Sequence, residues 1–191
     1  MAPLPLWPTV FILPLGLCFY YFIVAGARTF VISPDDDTAS GIAQFSFLVT
    51  GTLGTVFLGY RASVPVINAV AGGALMIAAL ALYELARHTI FDRRFHIAWN
   101  GEVPDAVCDE GPYAYVRHPV YASYMLAFAA LLAALPSVWS LAIFVGNVAL
   151  FTHAARDDER SLAASDLASD YARYKLRTGM FFPRIRSKPV N

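Results

Sequence analysis

Long apolar runs, separated by short polar stretches, make up most of the chain. A helix needs about 20 apolar residues to cross the hydrocarbon core of a bilayer, which is about 30 Å thick. Such runs predict five membrane helices, at residues 6–27, 41–60, 64–86, 120–135 and 138–155. The last two runs are short and meet at Pro136-Ser137, so they predict a tight helical hairpin that need not span the whole bilayer.

Two long polar segments interrupt this pattern, and both lie after residue 86. Residues 87–118 form a polar connection before the hairpin, and residues 156–178 predict an amphipathic tail helix that stops at Gly179. Apolar and aromatic side chains share one stripe of that helix, namely Leu162, Leu167, Tyr171 and Tyr174. We therefore divide the chain into three membrane helices, residues 1–86, and a catalytic candidate region of loop, hairpin and tail, residues 87–191.

The composition agrees with a membrane protein. The chain is 58% hydrophobic and 15% charged, with a mean hydropathy of +0.53, whereas soluble domains average roughly 45–50% apolar and about 25% charged residues. The net charge of zero provides no basic field that would attract nucleic acid. Cys18 lies in an apolar run and Cys108 in a polar one, so a disulfide between them is not expected. Together these features predict an all-α integral membrane protein.

The basic residues predict the orientation in the membrane. Of the 14 Lys and Arg residues, only Arg61 would lie outside if residues 87–118 and the tail are cytoplasmic. The amino terminus would then be outside. Near the carboxyl end, Arg184, Arg186 and Lys188 would face anionic lipid headgroups.

Candidate chemistry concentrates in two clusters on either side of the hairpin. Arg117, His118 and Pro119 precede it, and the charged run 156–160 follows it. Because a helical hairpin returns the chain to the side it left, the two clusters can be neighbours at a pocket on the membrane surface. Simpler interpretations also exist: Arg117 as a positive flank, His118 as a helix-start residue, the nearby tyrosines as an interfacial belt, and the acids as first-turn residues favoured by the helix dipole. As a set, the two clusters favour a binding site.

Several other kinds of site are not indicated by the sequence. The four histidines form no H-x-x-x-H or H-E-x-x-H pair, so a metal site is not expected. No G-x-S-x-G pattern indicates a nucleophilic serine, and no G-x-G-x-x-G or P-loop pattern indicates a soluble-type nucleotide site. A site between the two polar clusters is therefore the candidate that the sequence supports.

Two stretches carry a resemblance to a known family. "GPYAYVRHPVY", residues 111–121, is followed by an apolar hairpin and then by "RDDERSLAASDLASDYARY", residues 156–174. This order resembles the isoprenylcysteine carboxyl methyltransferase family, whose members are membrane enzymes that use S-adenosylmethionine. The resemblance covers roughly residues 80–183, and hydropathy alone extends it to the first two helices. Phospholipid N-methyltransferases and membrane sterol reductases share the first stretch in looser form.

The resemblance implies a site residue by residue. Contacts to S-adenosylmethionine would come from a strand-like segment before the glycine, from the start of the hairpin and from one acid: Asp105, Ala106, Val107, Cys108, Tyr113, His118, Pro119, Val120, Tyr121 and Glu159. Arg156 matches the substrate-binding arginine of the family, so Arg156 and Glu159 are the implied catalytic residues. The sequence departs from the family at Asp158, where a glutamate is usual, and at Leu167-Ala168, where Phe-Gly is usual.

The implied reaction is methyl transfer to a lipophilic acceptor, with S-adenosylhomocysteine as the second product. A carboxylate acceptor, such as that of a prenylated cysteine, is already ionised and needs no general base, and the planar fork of Arg156 would hold it. An amine or thiol acceptor would need a base, for which Glu159 and His118 are the candidates.

Two other hypotheses stay open beside the methyltransferase. A membrane reductase would use NADPH on a sterol or similar lipid, and would need cationic groups for the 2′-phosphate, of which only Arg93-Arg94 are clustered in the sequence. A non-enzymatic membrane module would use the motif only as an anchor. The identity of the methyl acceptor and the oligomeric state are also open at this point.

Overall fold

The computed structural model describes these parts of the chain: residues 6–29, 51, 54–55, 64–91 and 106–184. They form five α-helices and one 3₁₀ turn, in the order α1 (Leu6–Thr29), α2 (Val66–Phe91), the turn Gly111–Ala114, α3 (Pro119–Ala134), α4 (Val138–Ala163) and α5 (Ala168–Arg177). These residues contain no β-strand, so the predicted all-α class is confirmed. The predicted helix at residues 41–60 lies outside the described residues, apart from residues 51, 54 and 55.

Two of the described helices are long and apolar enough to cross a membrane, over Val66–Ile90 and Val138–Ala163. Shorter apolar stretches occupy Pro14–Ala25 in α1 and Pro119–Ala134 in α3. The 16 residues of α3 rise only about 24 Å at 1.5 Å per residue, less than the roughly 30 Å core of a bilayer. This length agrees with a hairpin whose first arm need not span the bilayer, while the number of five membrane helices stays a prediction.

The first and third predicted helices are both longer than their apolar runs. α1 continues to Thr29, and α2 continues five residues beyond the predicted end to Phe91. The polar residues at the end of α2 are satisfied by one another, because Arg87 Nη2 lies 2.6 Å from Glu84 Oε2. The hydroxyl of Tyr21 in α1 also donates to Glu84. The end of an apolar run therefore did not mark the end of the helix.

The contact between α2 and α3 forms the centre of the described core. Buried residues recur every three or four positions along α2, the spacing of one helix face: Ala69, Gly72, Met76, Ala79, Tyr83, Ala86 and Ile90. Small residues in this set let the two backbones approach closely. A Cβ on Gly72 would stand 2.6 Å from Ala134 Cβ and 2.9 Å from the Ala130 carbonyl oxygen. The Asn68 amide adds a bond to the Ala133 carbonyl at 2.9 Å.

The predicted hairpin between α3 and α4 is confirmed. Ser137 caps α4 by accepting from the Ser140 N–H at 3.0 Å, and its own N–H donates to Ser140 Oγ at 2.9 Å. The Ser140 hydroxyl also donates to the Leu135 carbonyl at 2.7 Å. Reciprocal capping of this kind satisfies backbone groups at a helix start, so the turn after Pro136 needs no longer loop.

The predicted tail helix at residues 156–178 is wrong in its bounds. α4 continues without a break through the charged residues to Ala163, and the tail helix α5 is a separate element of 10 residues, Ala168–Arg177. The break lies at residues 164–167, where Ser165 accepts the Leu167 N–H through its hydroxyl at 3.2 Å. Leu162 and Tyr171 are consequently on different helices, whereas Tyr171 and Tyr174 share the buried face of α5.

Candidate functional site

The loop that leads into the hairpin is anchored to α2. Gly111 has a φ of 54°, in the left-handed region that favours glycine. A Cβ at this position would stand 2.5 Å from Thr89 Oγ1, so the loop can lie against the end of α2 because residue 111 has no side chain. Pro119 then occupies the first position of α3, where the missing N–H has no helical partner to lose, and His118 immediately precedes it. His118 is therefore fixed at the mouth of the hairpin.

The residues after α5 pair with this loop through the backbone. The N–H of Arg117 donates to the Gly179 carbonyl at 2.8 Å, and the N–H of His118 donates to the Met180 carbonyl at 3.1 Å. The Gly179 N–H donates back to the Tyr115 carbonyl at 3.2 Å. This parallel pairing is an isolated bridge, and it holds the end of the tail beside His118.

Glu159 lies at the centre of a buried ion-pair network. Its Oε1 accepts from Arg117 Nε at 2.7 Å, and its Oε2 accepts from Lys175 Nζ at 2.8 Å. The side chains of Arg117 and Glu159 are only 11% and 10% exposed, whereas that of Lys175 is 43% exposed. Arg117 also donates through Nη1 to the Thr178 carbonyl at 2.7 Å. One arginine side chain thus joins the loop, α4 and the tail.

His118 lies beside both acids of α4. Its Nε2 is 3.5 Å from Glu159 Oε1, and its Nδ1 is 4.0 Å from Asp158 Oδ2. Both distances are long for a hydrogen bond, and Nε2 is buried without a hydrogen-bond partner among the described residues. Because a buried polar atom without a partner is destabilising, this nitrogen marks a position at which a ligand group can bind.

Aromatic rings pack on His118 and continue into the hairpin. The Tyr121 ring stacks on the imidazole, with centroids 5.5 Å apart and planes 7° apart, and the Phe181 ring lies 6.1 Å away. Tyr121 stacks in turn on Phe151 of α4 at 5.8 Å, and its hydroxyl donates to Asp158 Oδ2 at 2.9 Å. Tyr121 is thus buried between His118 and Phe151, and this stack fixes the imidazole beside the two carboxylates.

The charges of the site balance. Two acids face two bases, namely Asp158, Glu159, Arg117 and Lys175. Burial raises the pKa of three nearby phenols above the usual range of tyrosine, those of Tyr113, Tyr171 and Tyr174. These phenols stay protonated at neutral pH and add no charge, so the site carries no net charge when His118 is neutral.

The structure brings the two clusters on either side of the hairpin together, as their order in the sequence predicted. His118 of the first cluster lies beside Glu159 of the second, and Tyr121, which follows the first cluster in α3, donates to Asp158. Pro119 and Val120 are buried in the first turn of α3, as is Tyr121. His118 is thus both the helix-start residue of the simpler interpretation and a member of the cluster. The roles assigned to these residues remain predictions.

The segment before Gly111 occupies a different place from the Glu159 network. Asp105 lies outside the described residues, and 106–108 form no strand, so the strand-like reading of this segment is wrong for the described part. Cys108 is buried, whereas Ala106 and Val107 line a cavity of about 540 Å³ on the outer side of α5. The cavity is bordered by the ion pair between Arg177 and Asp109. Just after Gly111, the Tyr113 carbonyl also contacts the tail, because it accepts from the Tyr174 hydroxyl at 2.7 Å.

Arg156 is exposed on α4 and makes no ion pair with the residues that the structure describes. It lies one helical turn before Glu159, about 60° round the axis at 100° per residue. The guanidinium is therefore free to meet a group that approaches the edge of the Glu159 network. Its predicted role in substrate binding is compatible with this position.

Two residues of the Glu159 network were not assigned to the site from the sequence, namely Lys175 and Arg117. Arg117 had a simple reading as a positive flank, yet it is 11% exposed and paired with Glu159. Lys175 follows Tyr174 and lies four residues after Tyr171, and its ammonium is 5.7 Å from the centre of the Tyr171 ring. The predicted apolar face with Tyr171 and Tyr174 was a signal for this contact. A lysine adjacent to that buried face can reach the residues on which the face packs, here Glu159.

Comparison with protein families gives a match over the centre of the chain. The family model described as isoprenylcysteine carboxyl methyltransferase (ICMT) family matches residues 66–164, just over half of the chain. The matched region contains α2, the loop with His118, the hairpin, and both Arg156 and Glu159, and it ends before α5. No curated protein matches the chain.

Proposed function

The chain belongs to the isoprenylcysteine carboxyl methyltransferase family of membrane methyltransferases, and on this premise we propose that it uses S-adenosylmethionine to methylate a lipophilic acceptor at the membrane surface. The acceptor that fits best is a carboxylate, such as that of a prenylated cysteine. The observation that carries the proposal is the buried cluster at the hairpin mouth, where Asp158 and Glu159 meet His118 and Tyr121. This cluster would lie on the cytoplasmic side of a multi-pass protein, where the polar cofactor is available.

The residues of the cluster suit the cofactor group by group. S-adenosylmethionine carries a sulfonium, an ammonium and a carboxylate, besides a ribose diol and an adenine, and it supplies an electrophilic methyl group. Asp158 and Glu159 can bind the ammonium or the ribose hydroxyls through charge-assisted hydrogen bonds. Tyr121 supports the imidazole of His118 by stacking on it, and His118 Nε2 is a buried atom without a hydrogen-bond partner among the described residues.

The charge of the cluster argues against a dinucleotide. NADPH is strongly anionic, and its 2′-phosphate needs bases that are free to bind it. The two bases of the cluster, Arg117 and Lys175, are both paired with Glu159, and Asp158 adds a second negative charge. Because both bases are already paired, neither is free to bind a phosphate, which supports the methyltransferase over the reductase.

The same contacts favour a carboxylate as acceptor. In carboxyl methylation, a carboxylate oxygen attacks the methyl carbon as the carbon–sulfur bond breaks, and a methyl ester and S-adenosylhomocysteine result. No proton has to be removed, so the rate depends on positioning, which can lower a barrier by about 7–11 kcal/mol. An amine or thiol would need a base; Glu159 suits that task poorly because both of its oxygens accept from cations, which leaves His118 as the candidate base for such an acceptor. Arg156, exposed one turn away, would orient the acceptor carboxylate.

Binding of S-adenosylhomocysteine to the detergent-purified protein, measured by calorimetry, tests the proposal. We expect wild type to bind and both His118→Ala and Glu159→Ala to bind more weakly, because each removes a polar group of the cluster. Arg160→Ala is the matched control, since its side chain is 74% exposed and pairs only with Asp157 among the described residues. Binding of NADPH in place of S-adenosylhomocysteine would support the reductase, and binding of neither would leave the membrane module.

A further inference from the structure

The two cations that hold Glu159 are held very differently themselves. Arg117 is buried and has a second anchor at the Thr178 carbonyl, 2.7 Å away. Lys175 is 43% exposed, and its ammonium makes one hydrogen bond, to Glu159 Oε2. A lysine with access to solvent, held by this one hydrogen bond and by a ring contact with Tyr171 at 5.7 Å, can leave Glu159 at less cost than Arg117 can. Withdrawal of Arg117 would instead break two bonds, one to Glu159 Oε1 and one to the Thr178 carbonyl.

We propose that Lys175 is an exchangeable cation, which occupies Glu159 Oε2 in the empty site and leaves it when the cofactor binds. This inference rests on the proposed function and concerns the same site. Each oxygen of Glu159 already accepts from a charged donor, so a cofactor ammonium that approaches this carboxylate is repelled unless one of the two cations withdraws. Of the two donors, Lys175 is the one that can withdraw.

The net charge explains why the exchange would favour the cofactor over its product. With Lys175 in place, Asp158 and Glu159 balance Arg117 and Lys175, and the site is neutral. With Lys175 withdrawn, the site carries one net negative charge. S-adenosylmethionine carries one net positive charge, whereas S-adenosylhomocysteine, which has lost the sulfonium, carries none. The cationic cofactor can therefore replace the charge of Lys175 at Glu159, whereas the neutral product cannot. Return of Lys175 after methyl transfer would favour release of the product.

Substitution of the lysine tests this directly. Lys175→Met keeps the aliphatic stem and removes the charge, so the site is permanently one charge more negative. We expect S-adenosylmethionine to bind about fivefold tighter to this variant, the size of effect of one partly exposed ion pair, and S-adenosylhomocysteine to gain less. Arg173→Met is the control, because Arg173 lies two positions away, about 200° round the helix axis, and is 78% exposed. The affinities of both ligands would be measured by calorimetry in the same detergent.

The outcomes separate this inference from the proposed function. Weaker or unchanged binding of S-adenosylmethionine by Lys175→Met, with wild type binding normally, would overturn the exchange alone and make Lys175 a residue that holds Glu159 in place. An equal gain for both ligands would also overturn it. Failure of wild type to bind either ligand would overturn the proposed function, and the exchange with it.

A second measurement uses the wild-type chain and does not depend on a variant that folds. The sequence contains only two lysines, Lys175 and Lys188, so amine labelling followed by mass spectrometry can follow Lys175 with Lys188 as the reference. An ammonium bound to a carboxylate reacts slowly, so we expect saturating S-adenosylmethionine to increase the relative labelling of Lys175, and S-adenosylhomocysteine to increase it less. Protection of Lys175 by S-adenosylmethionine would refute the exchange.

Discussion

Arg117 provides the sharpest test of whether the hairpin mouth is a built site or a topology signal. As a positive flank it would be replaceable, because a flank contributes charge and little else. In the structure its guanidinium bonds Glu159 Oε1 at 2.7 Å and the Thr178 carbonyl at 2.7 Å, with 11% of the side chain exposed. Arg117→Ala would break both bonds at once and would loosen the tail from the loop.

The size of the loss can be worked out from these contacts. Removal of one partner from a buried ion pair costs about 3–5 kcal/mol when the other charge is left alone. Lys175 stays on Glu159 in this variant, so the carboxylate is still partly compensated. The Thr178 carbonyl loses a charged donor, and such bonds contribute about 1.5–3 kcal/mol. Adding the loss at Thr178 to a part of the ion-pair loss, we expect Arg117→Ala to lower the free energy of unfolding by about 3–5 kcal/mol.

Unfolding by sodium dodecyl sulfate in mixed micelles would measure this loss, and limited proteolysis would report whether the tail is released. Arg160→Ala is the matched control, since it removes an arginine that is 74% exposed and should cost only about 0–1 kcal/mol. Arg117→Lys should fall between the two, because an ammonium cannot reach both acceptors. The double variant Arg117→Ala/Glu159→Ala should lose less stability than the sum of the losses in the two single variants, because no buried carboxylate is left without its partner. Equal stability of Arg117→Ala and Arg160→Ala would refute a structural role of Arg117 and support its role as a positive flank only.

Three further expectations concern the packing, the orientation and the acceptor. Gly72→Ala should destabilise the protein by about 1–3 kcal/mol, because its Cβ would stand 2.6 Å from Ala134 Cβ. Gly146→Ala should not, because a Cβ at that position has nothing within 4 Å. The same unfolding assay measures both variants, and equal losses would contradict the close α2–α3 contact. Reporter fusions should place the carboxyl terminus in the cytoplasm and the amino terminus outside, and a cytoplasmic amino terminus would mean that the number of membrane helices is wrong. Arg156→Lys should keep cofactor affinity but lower turnover on a carboxylate-bearing lipid roughly 100-fold, because a misplaced nucleophile loses that much rate; full activity would make Arg156 a flank.

Hydropathy predicted the hairpin well and the tail poorly, for a physical reason. The turn at Pro136-Ser137 is encoded locally, by a proline and by two serines that cap each other. The end of α4 is not encoded by hydropathy, since a helix can leave an apolar environment and continue as long as its backbone bonds are made. α4 does so from Ala155 to Ala163, with its charged residues exposed or paired.

The site was predictable to the extent that chain order dictates neighbours. A hairpin must return the chain beside its start, so the proximity of His118 to Glu159 followed from the sequence. The pairing of Arg117 and His118 with residues 179–180 did not, because the turn at 164–167 that folds the tail back has no distinctive hydropathy. Lys175 was missed for the same reason: its partner depends on where that turn points α5.

The proposed site for a cationic cofactor faces a conflict that the Glu159 network would resolve. Carboxylates that are buried and ready for a cation destabilise the empty protein, because an unpaired buried charge costs several kcal/mol. Arg117 and Lys175 supply positive charge from within the chain, one fixed by the tail backbone and one exposed to solvent. A fixed cation alone would stabilise the empty pocket and also exclude the ligand. In the proposed exchange, a fixed cation and an exchangeable one would together keep the charge of Glu159 compensated both with and without the cofactor.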